Sequence, residues 1–219
     1  MIGENLFVAT PGANIPVQVV NAAFIDPEGK RLMASLVDQR AGPLSDRSFS
    51  VDEFSMVGAP DRARFVFRGT GIAVDTAGRA FGVQLPRQAF RTEATGARIA
   101  LWMGPDEWLL LAPEVEKDFI ERQLTEGLAG TAHSLVDVSH RDVALVLSGA
   151  KVAVALNAGC PLDLHPSVFA VGVCSRTLLA KTQIVLWRTG PAQFHLQASR
   201  SFAEYVWQFL EQAARDVDF

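Results

Sequence analysis

Asp137, Ser139 and His140 supply the three side chains of a nucleophilic hydrolase within one short stretch. In an extended chain, though, Asp137 and Ser139 point to one face and His140 to the other. One strand cannot fold its own triad, and no G-x-S-x-G elbow places Ser139 at a strand-to-helix turn. The simpler expectation is that Asp137 and Ser139 bond to backbone where the strand turns. The four histidines, at 133, 140, 165 and 195, show no helix-face pairing with one another or with cysteine. Cys160 and His165 share a proline-containing loop, but the further ligands of a closed metal site are not in the sequence. No metal is expected.

Glycine patterns give no phosphate cradle. Gly69-Thr70-Gly71 lacks the third glycine of a dinucleotide motif, and Ile72, Ala73 and Val74 after it read as no helix. Ser148-Gly149-Ala150-Lys151 lacks the upstream glycine of a P-loop and is expected to open a helix by ordinary capping, with Ser148 as the cap and Gly159 left-handed just past the end. Cys174, inside a strand pattern, reads as a small buried hydrophobe, and Cys160 as a loop thiol without a basic sequence neighbour. His195, between Phe194 and Leu196, reads as a surface or satisfied core histidine.

The elements that position these residues are mostly strands. Arg64-Phe65-Val66-Phe67-Arg68 alternates, with both phenylalanines on one face. Arg98–Met103 and Trp108–Ala112 flank a Gly-Pro-Asp-Glu turn and predict a hairpin, whose second arm is apolar on both faces and belongs centrally in a covered sheet. A helix is expected over 114–128, with Val115, Phe119, Ile120, Leu124 and Leu128 on its apolar face. Strands follow at 134–138 and 143–147, then a hairpin over 173–188 and a strand at 194–197. The last helix is the clearest: Ser201 and Glu204 have capping-box spacing, and Phe202, Tyr205, Val206, Phe209, Leu210 and Ala213 form one stripe. Strands, hairpins and two substantial helices in this order predict an α+β fold, antiparallel sheets with helices packed on them. A hairpin followed by an amphipathic helix occurs twice, at 98–128 and 173–213, as two related subdomains would require. Residues 1–60 carry short apolar snatches such as Ile15–Val20 and Leu32–Val37; they read either as edge strands and loops or as an extended arm that wraps a partner. Domain boundaries are accordingly expected at 1–60 and 61–219.

Composition excludes several classes. The 219 residues carry 20 Lys and Arg against 24 Asp and Glu, a formal charge of −4, so no cationic field collects nucleic acid. The two cysteines are too few for a disulfide scaffold, which predicts a reducing, cytoplasmic setting. Glu4, Pro11 and Pro16, with no Lys or Arg in between, are unlike a signal peptide, and the apolar stretch Val143–Cys160 is broken by Ser148, Gly149 and Lys151. No membrane span is expected. The apolar set together with glycine exceeds the usual ~45–50%, which calls for a thick core or a covered partner surface.

A resemblance adds to this reading. Residues 135–160, LVDVSHRDVALVLSGAKVAVALNAGC, resemble the segment of the glycine-cleavage aminomethyltransferase (T-protein) family in which a strand ending D-V-S-H precedes a second strand, a glycine and a short helix ending L-N. With RIALWMGPDEWLLL at 98–111, NAGCPLDLHPSVFAVG at 157–172 and CSRTLLAKTQIVLWRTG at 174–190, the chain resembles the gamma-subunit family of heterotetrameric sarcosine oxidases across roughly residues 62–213. The resemblance implies the fold of the aminomethyltransferase folate-binding domain. It also implies a complex that oxidises sarcosine to glycine, passes the one-carbon unit to tetrahydrofolate or releases formaldehyde, and makes hydrogen peroxide. Partners would be the alpha, beta and delta subunits, with FAD, FMN, NAD and tetrahydrofolate on them and none on this chain.

One departure decides what carries over. Where aminomethyltransferases place an acidic turn whose aspartate meets the folate nitrogen, this chain reads Leu178-Leu179-Ala180-Lys181-Thr182-Gln183-Ile184, without a carboxylate. A proton-handling group is missing from that position. The expectation is therefore no catalytic residue, with Asp137, Ser139 and His140, in the best-matching motif, as the candidates for any cofactor contact. Two other readings stay open: a folate-binding or aminomethyltransferase-like protein with a pocket between its halves, and a free-standing enzyme built on Asp137, His140 and nearby carboxylates.

Overall fold

The computed structural model describes residues 5–10, 12–18 and 42–217, in two units divided between Arg40 and Ala41. The first contains an antiparallel hairpin of β1 (Asn5–Thr10) and β2 (Ala13–Gln18), turning through Gly12 at φ 99°. The snatch at Leu32–Val37 lies outside the described residues.

The second unit opens with β3 (Ser48–Val51) and β4 (Phe54–Gly58), continues through β5 (Arg62–Gly69), and enters α1 (Ile72–Phe81). Then come β6 (Thr92–Thr95), β7 (Arg98–Gly104), β8 (Glu107–Pro113), a 3₁₀ turn at Glu114–Glu116 and α2 (Lys117–Gly127). After β9 (His133–Asp137), β10 (Asp142–Ser148) and α3 (Val152–Asn157), the chain forms β11 (Cys174–Leu179), β12 (Thr182–Gly190) and β13 (Gln193–Ser199). It closes through a 3₁₀ turn at Arg200–Phe202 into α4 (Ala203–Asp216). The α+β class holds. All strand pairings are antiparallel, in a six-stranded sheet ordered β11-β12-β13-β10-β4-β3 and a five-stranded sheet ordered β6-β7-β8-β5-β9.

Period-two alternation divides each sheet into two faces. In the five-stranded sheet, Ala63, Phe65 and Phe67 of β5 and Trp108, Leu110 and Ala112 of β8 form one core with Ala77 and Phe81 of α1 and Ile120 and Leu124 of α2. In the six-stranded sheet, Leu145 and Leu147 of β10, Ile184 and Leu186 of β12 and Leu196 of β13 form another with α3 and with Val206, Trp207 and Leu210 of α4. The opposite faces meet. Leu101, Leu109, Leu111, Val138, Cys174 and Trp187 build a third, smaller core between the sheets. The layers run helices, sheet, sheet, helices, and each half has the same plan. Backbone also stitches the sheets together, since Cys174 N–H donates to the Phe90 carbonyl at 2.9 Å and Thr92 N–H to that of Gly172 at 3.0 Å.

Several local expectations need correction. A helix does follow Gly69-Thr70-Gly71: α1 buries Ala73, Val74, Ala77, Gly78 and Phe81, and so many small side chains hide its period. Ser148 caps nothing; it ends β10, and its carbonyl and hydroxyl bond to Ser55 and Gln193 while α3 starts without a side-chain cap. Gly159 is not left-handed. It is there because a Cβ would come within 2.6 Å of Phe209 Cζ and 2.9 Å of the Ala180 nitrogen. Ser201 and Glu204 make no capping box: the entry to α4 is the 3₁₀ turn, and Glu204 instead receives Arg47 at 2.5 Å. On the 114–128 segment, Ile120, Leu124 and Leu128 are buried at i, i+4, i+8, whereas Val115, in the 3₁₀ turn, and Phe119, one position and so about 100° away from Ile120 on the helix, face solvent.

Candidate functional site

The aspartate and serine singled out from sequence do meet. Asp137 ends β9, and its Oδ1 accepts the Ser139 N–H at 2.8 Å and the Ser139 hydroxyl at 2.5 Å. Its Oδ2 lies 2.6 Å from Lys117 Nζ at the start of α2. Partial burial works against the charged carboxylate, but Lys117 and the two bonds from Ser139 outweigh it and hold its pKa below the usual value. Ser139 Oγ in turn accepts the Arg64 N–H at 2.9 Å. The pair thus bonds largely to backbone and to an ammonium at the corner leaving β9, as expected. His140 stands apart, exposed at the turn. The serine hydroxyl donates to a carboxylate with no imidazole between them, which is not a nucleophile's arrangement.

Sequence reasoning missed the centre of the polar cluster. Arg64 is 1% exposed, and its side chain crosses from one sheet to the other. Nε donates to Gln197 Oε1 of β13 at 3.3 Å, and Nη1 donates to the carbonyls of Arg62 and Ser139 at 3.2 and 3.3 Å. Gln197 passes the contact on, donating through Nε2 to Asp142 Oδ2 at 2.7 Å, and Asp142 is held by Arg141 at 3.1 and 3.2 Å. Burial, and secondarily Arg62, pull the Arg64 pKa down, while Asp142, Asp61 and Glu114 oppose them. The alternation at 64–68 contained the signal: β8 is apolar on both faces, so the arginine face of its neighbour β5 also had to be covered.

Beside this cluster the sheets splay into a cleft of about 530 Å³. Its floor includes Val66, Leu109 and Val185, and its rim Arg141, Arg176 and Lys181. The β11–β12 turn, Leu179-Ala180-Lys181-Thr182, reaches this rim and brings an ammonium rather than a carboxylate. Among the described residues Asp142 is the one carboxylate lining the cleft, and both of its oxygens are engaged by Arg141 or Gln197. Among the described residues, the cleft thus presents cationic groups and one carboxylate that is already engaged.

Two further groups lie between the sheets. His195 stacks on Trp187 with ring centroids 4.1 Å apart and 15° between planes, and its Nδ1 is sealed without a hydrogen-bond partner. Desolvation first, then Arg62 and Arg64, push its pKa down to about 3, so the ring is neutral. Cys174 is fully buried as expected, and burial raises its thiol pKa to about 12, which keeps it protonated and unreactive. Among the described residues no three His, Cys, Asp or Glu side chains converge as metal ligands, and no helix is long and apolar enough to cross a membrane.

Residues 70–216 match the sarcosine oxidase gamma subunit family. The chain belongs to that family. The gamma subunit of sarcosine oxidase from Corynebacterium sp. (strain P-1) is 35% identical over 138 residues, and that from an Arthrobacter species 34% over 135; each match covers 61% of this chain and 66%, just under two thirds, of the relative. A chain of the heterotetrameric sarcosine oxidase from Corynebacterium sp. U-96, solved with pyrrole 2-carboxylate, superposes with a TM-score of 0.72 at 26% identity, covering 79% of this chain and 90% of that one. The glycine cleavage aminomethyltransferase T of Bartonella henselae shares the fold, with a TM-score of 0.57 at 12% identity over 73% of this chain and 45% of that one. The family expected from the motifs at 98–111 and 135–190 is therefore correct, and so is the aminomethyltransferase-like architecture.

Proposed function

We propose that this gamma-family chain is a structural subunit of a heterotetrameric sarcosine oxidase, with no active site of its own. Its partners in this reading are the alpha, beta and delta subunits. Those subunits bear FAD, FMN, NAD and tetrahydrofolate and convert sarcosine to glycine. The family assignment supports the assembly, and one observation supports the absence of chemistry here: the only carboxylate among the described residues of the inter-sheet cleft is engaged by Arg141 and Gln197. Asp137 is similarly occupied by Lys117 and Ser139. A general acid or base needs an oxygen free to exchange its proton with substrate.

The test is purification through a tag on this chain from cells that make it. The expected result is a complex containing a large flavoprotein in one-to-one ratio that turns over sarcosine, while the separated chain binds no flavin and has no activity. Capture without any flavoprotein would overturn the assembly. Tight calorimetric binding of a tetrahydrofolate derivative by the separated chain would replace the structural role with a folate-binding one.

A further inference from the structure

The charge of the inter-sheet cleft runs against that of the molecule. The chain carries −4 overall, yet Arg141, Arg176 and Lys181 ring the cleft and Asp142 alone opposes them among its lining residues. Arg176 is shared with Glu107 and Arg141 with Asp142, while Lys181 has no ion-pair partner among the described residues. Beneath these cations the floor is apolar. The apolar surface also extends beyond the cleft on both flanks. Val136 of β9 sits directly across from Val66, and Leu178 of β11 directly across from Gln183, both on the cleft-facing side of their sheets. They are 50% and 49% exposed, and Phe202 on the rim is 43% exposed. β9 and β11 are the outermost strands of their sheets, so nothing within this unit extends either sheet past them.

A small anion lodged in the cleft would satisfy the cations and leave Val136 and Leu178 in water. A polypeptide segment covers both, because its backbone spans the flanks while successive side chains reach floor and rim. Charge complementarity sets the character of that segment: carboxylates toward Lys181, Arg176 and Arg141, and an apolar side chain between them toward Val66 and Val185. We propose that this cleft is the docking site for an acidic, apolar-centred segment of a larger partner subunit. The inference rests on the assembly reading above and specifies the surface through which assembly occurs.

The experiment uses the complex captured through a tag on this chain. Lys181→Glu combined with Arg176→Glu is compared with Arg122→Glu, a charge reversal on α2 away from the cleft, and the folded state of each separated chain is checked by circular dichroism. The cleft variant is expected to lose affinity for its partner by about tenfold or more and to lose most of its salt sensitivity, with Arg122→Glu matching the unmodified chain. A photo-crosslinking residue at Gln183 supplies a readout that does not depend on charge-reversed protein folding. It is expected to attach to a partner peptide rich in Asp and Glu, whereas one at Arg122 is not. A complex that forms with unchanged affinity in the cleft variant, or a Gln183 crosslinker that captures no partner peptide in an intact complex, overturns the docking site and leaves the assembly standing. Failure of the unmodified chain to capture any flavoprotein overturns both.

Discussion

Three neighbouring residues with the same sequence-level promise have separate physical roles. Ser139 links Asp137 to the backbone of β5, and His140 points into water. Ser139→Ala removes the acceptor of a buried N–H, that of Arg64, and is expected to cost about 1–3 kcal/mol. His140→Ala should stay within about 0.5 kcal/mol of the parent. Urea unfolding of the two variants side by side checks this; equal stabilities would mean that Ser139 is not the clamp its distances describe. Asp137 predicts a pH effect as well. Its folded pKa is below the value of 3.8 that it has unperturbed, so its contribution is present above that pH and is lost as pH falls through the lower folded value. Asp137→Asn should therefore be less stable than the parent at neutral pH and lose less on acidification below about pH 4. A constant difference between the two at all pH values would contradict the assignment.

At the level of elements, the pattern of success has a physical cause. The hairpin at 98–112 and the stripe of α4 were legible because large apolar side chains recur there at the period of the structure they form, 2 or 3.6. α1 was not legible because the face it packs is built from Ala73, Ala77 and Gly78, which carry almost no hydrophobic contrast. Ala73 and Ala77 share one core with Phe65 and Phe67, and Gly78 lies against the backbone of Val83–Leu85. Ala77→Leu should thus overfill a site that is fully buried and destabilise the protein by about 1–3 kcal/mol, well beyond its small loss of helix propensity. Thermal melts of Ala77→Leu against an exposed Arg79→Leu on the same helix distinguish the two effects, and an unchanged melting temperature for Ala77→Leu would show the layer to be loosely packed. The polar cluster was invisible for a different reason. Arg64, Asp142 and Gln197 come from strands far apart in the chain, and no local spacing records that β5 and β13 face each other. The backbone bonds of Asp137 and Ser139 at the strand's end could be expected from sequence because the turn that makes them is local.

For the whole molecule, the layer between the sheets joins two halves that each have their own helix-backed core, and it partly buries a histidine in doing so. His195 extends from β13 over Trp187 and faces Arg62 and Arg64 of β5, so protonating it would add a third positive charge beside two others. Its pKa falls from 6.5 to about 3 on folding. A group depressed in this way favours the folded state fully above its unfolded pKa, and that stability is lost as pH falls below 6.5 toward the folded value. One such proton corresponds to a slope of about 1.4 kcal/mol per pH unit. The protein should therefore weaken steadily between pH 6.5 and 4.5, above the range in which carboxylates such as Asp137 contribute. His195→Phe keeps an aromatic ring on Trp187 and removes the titration, so its unfolding free energy should be flatter across that interval and exceed the parent's at its acid end. Equal slopes in urea titrations from pH 7.5 to 4.5 would mean that the ring is hydrated in the folded state and that the two sheets are less tightly closed over it than their packing indicates.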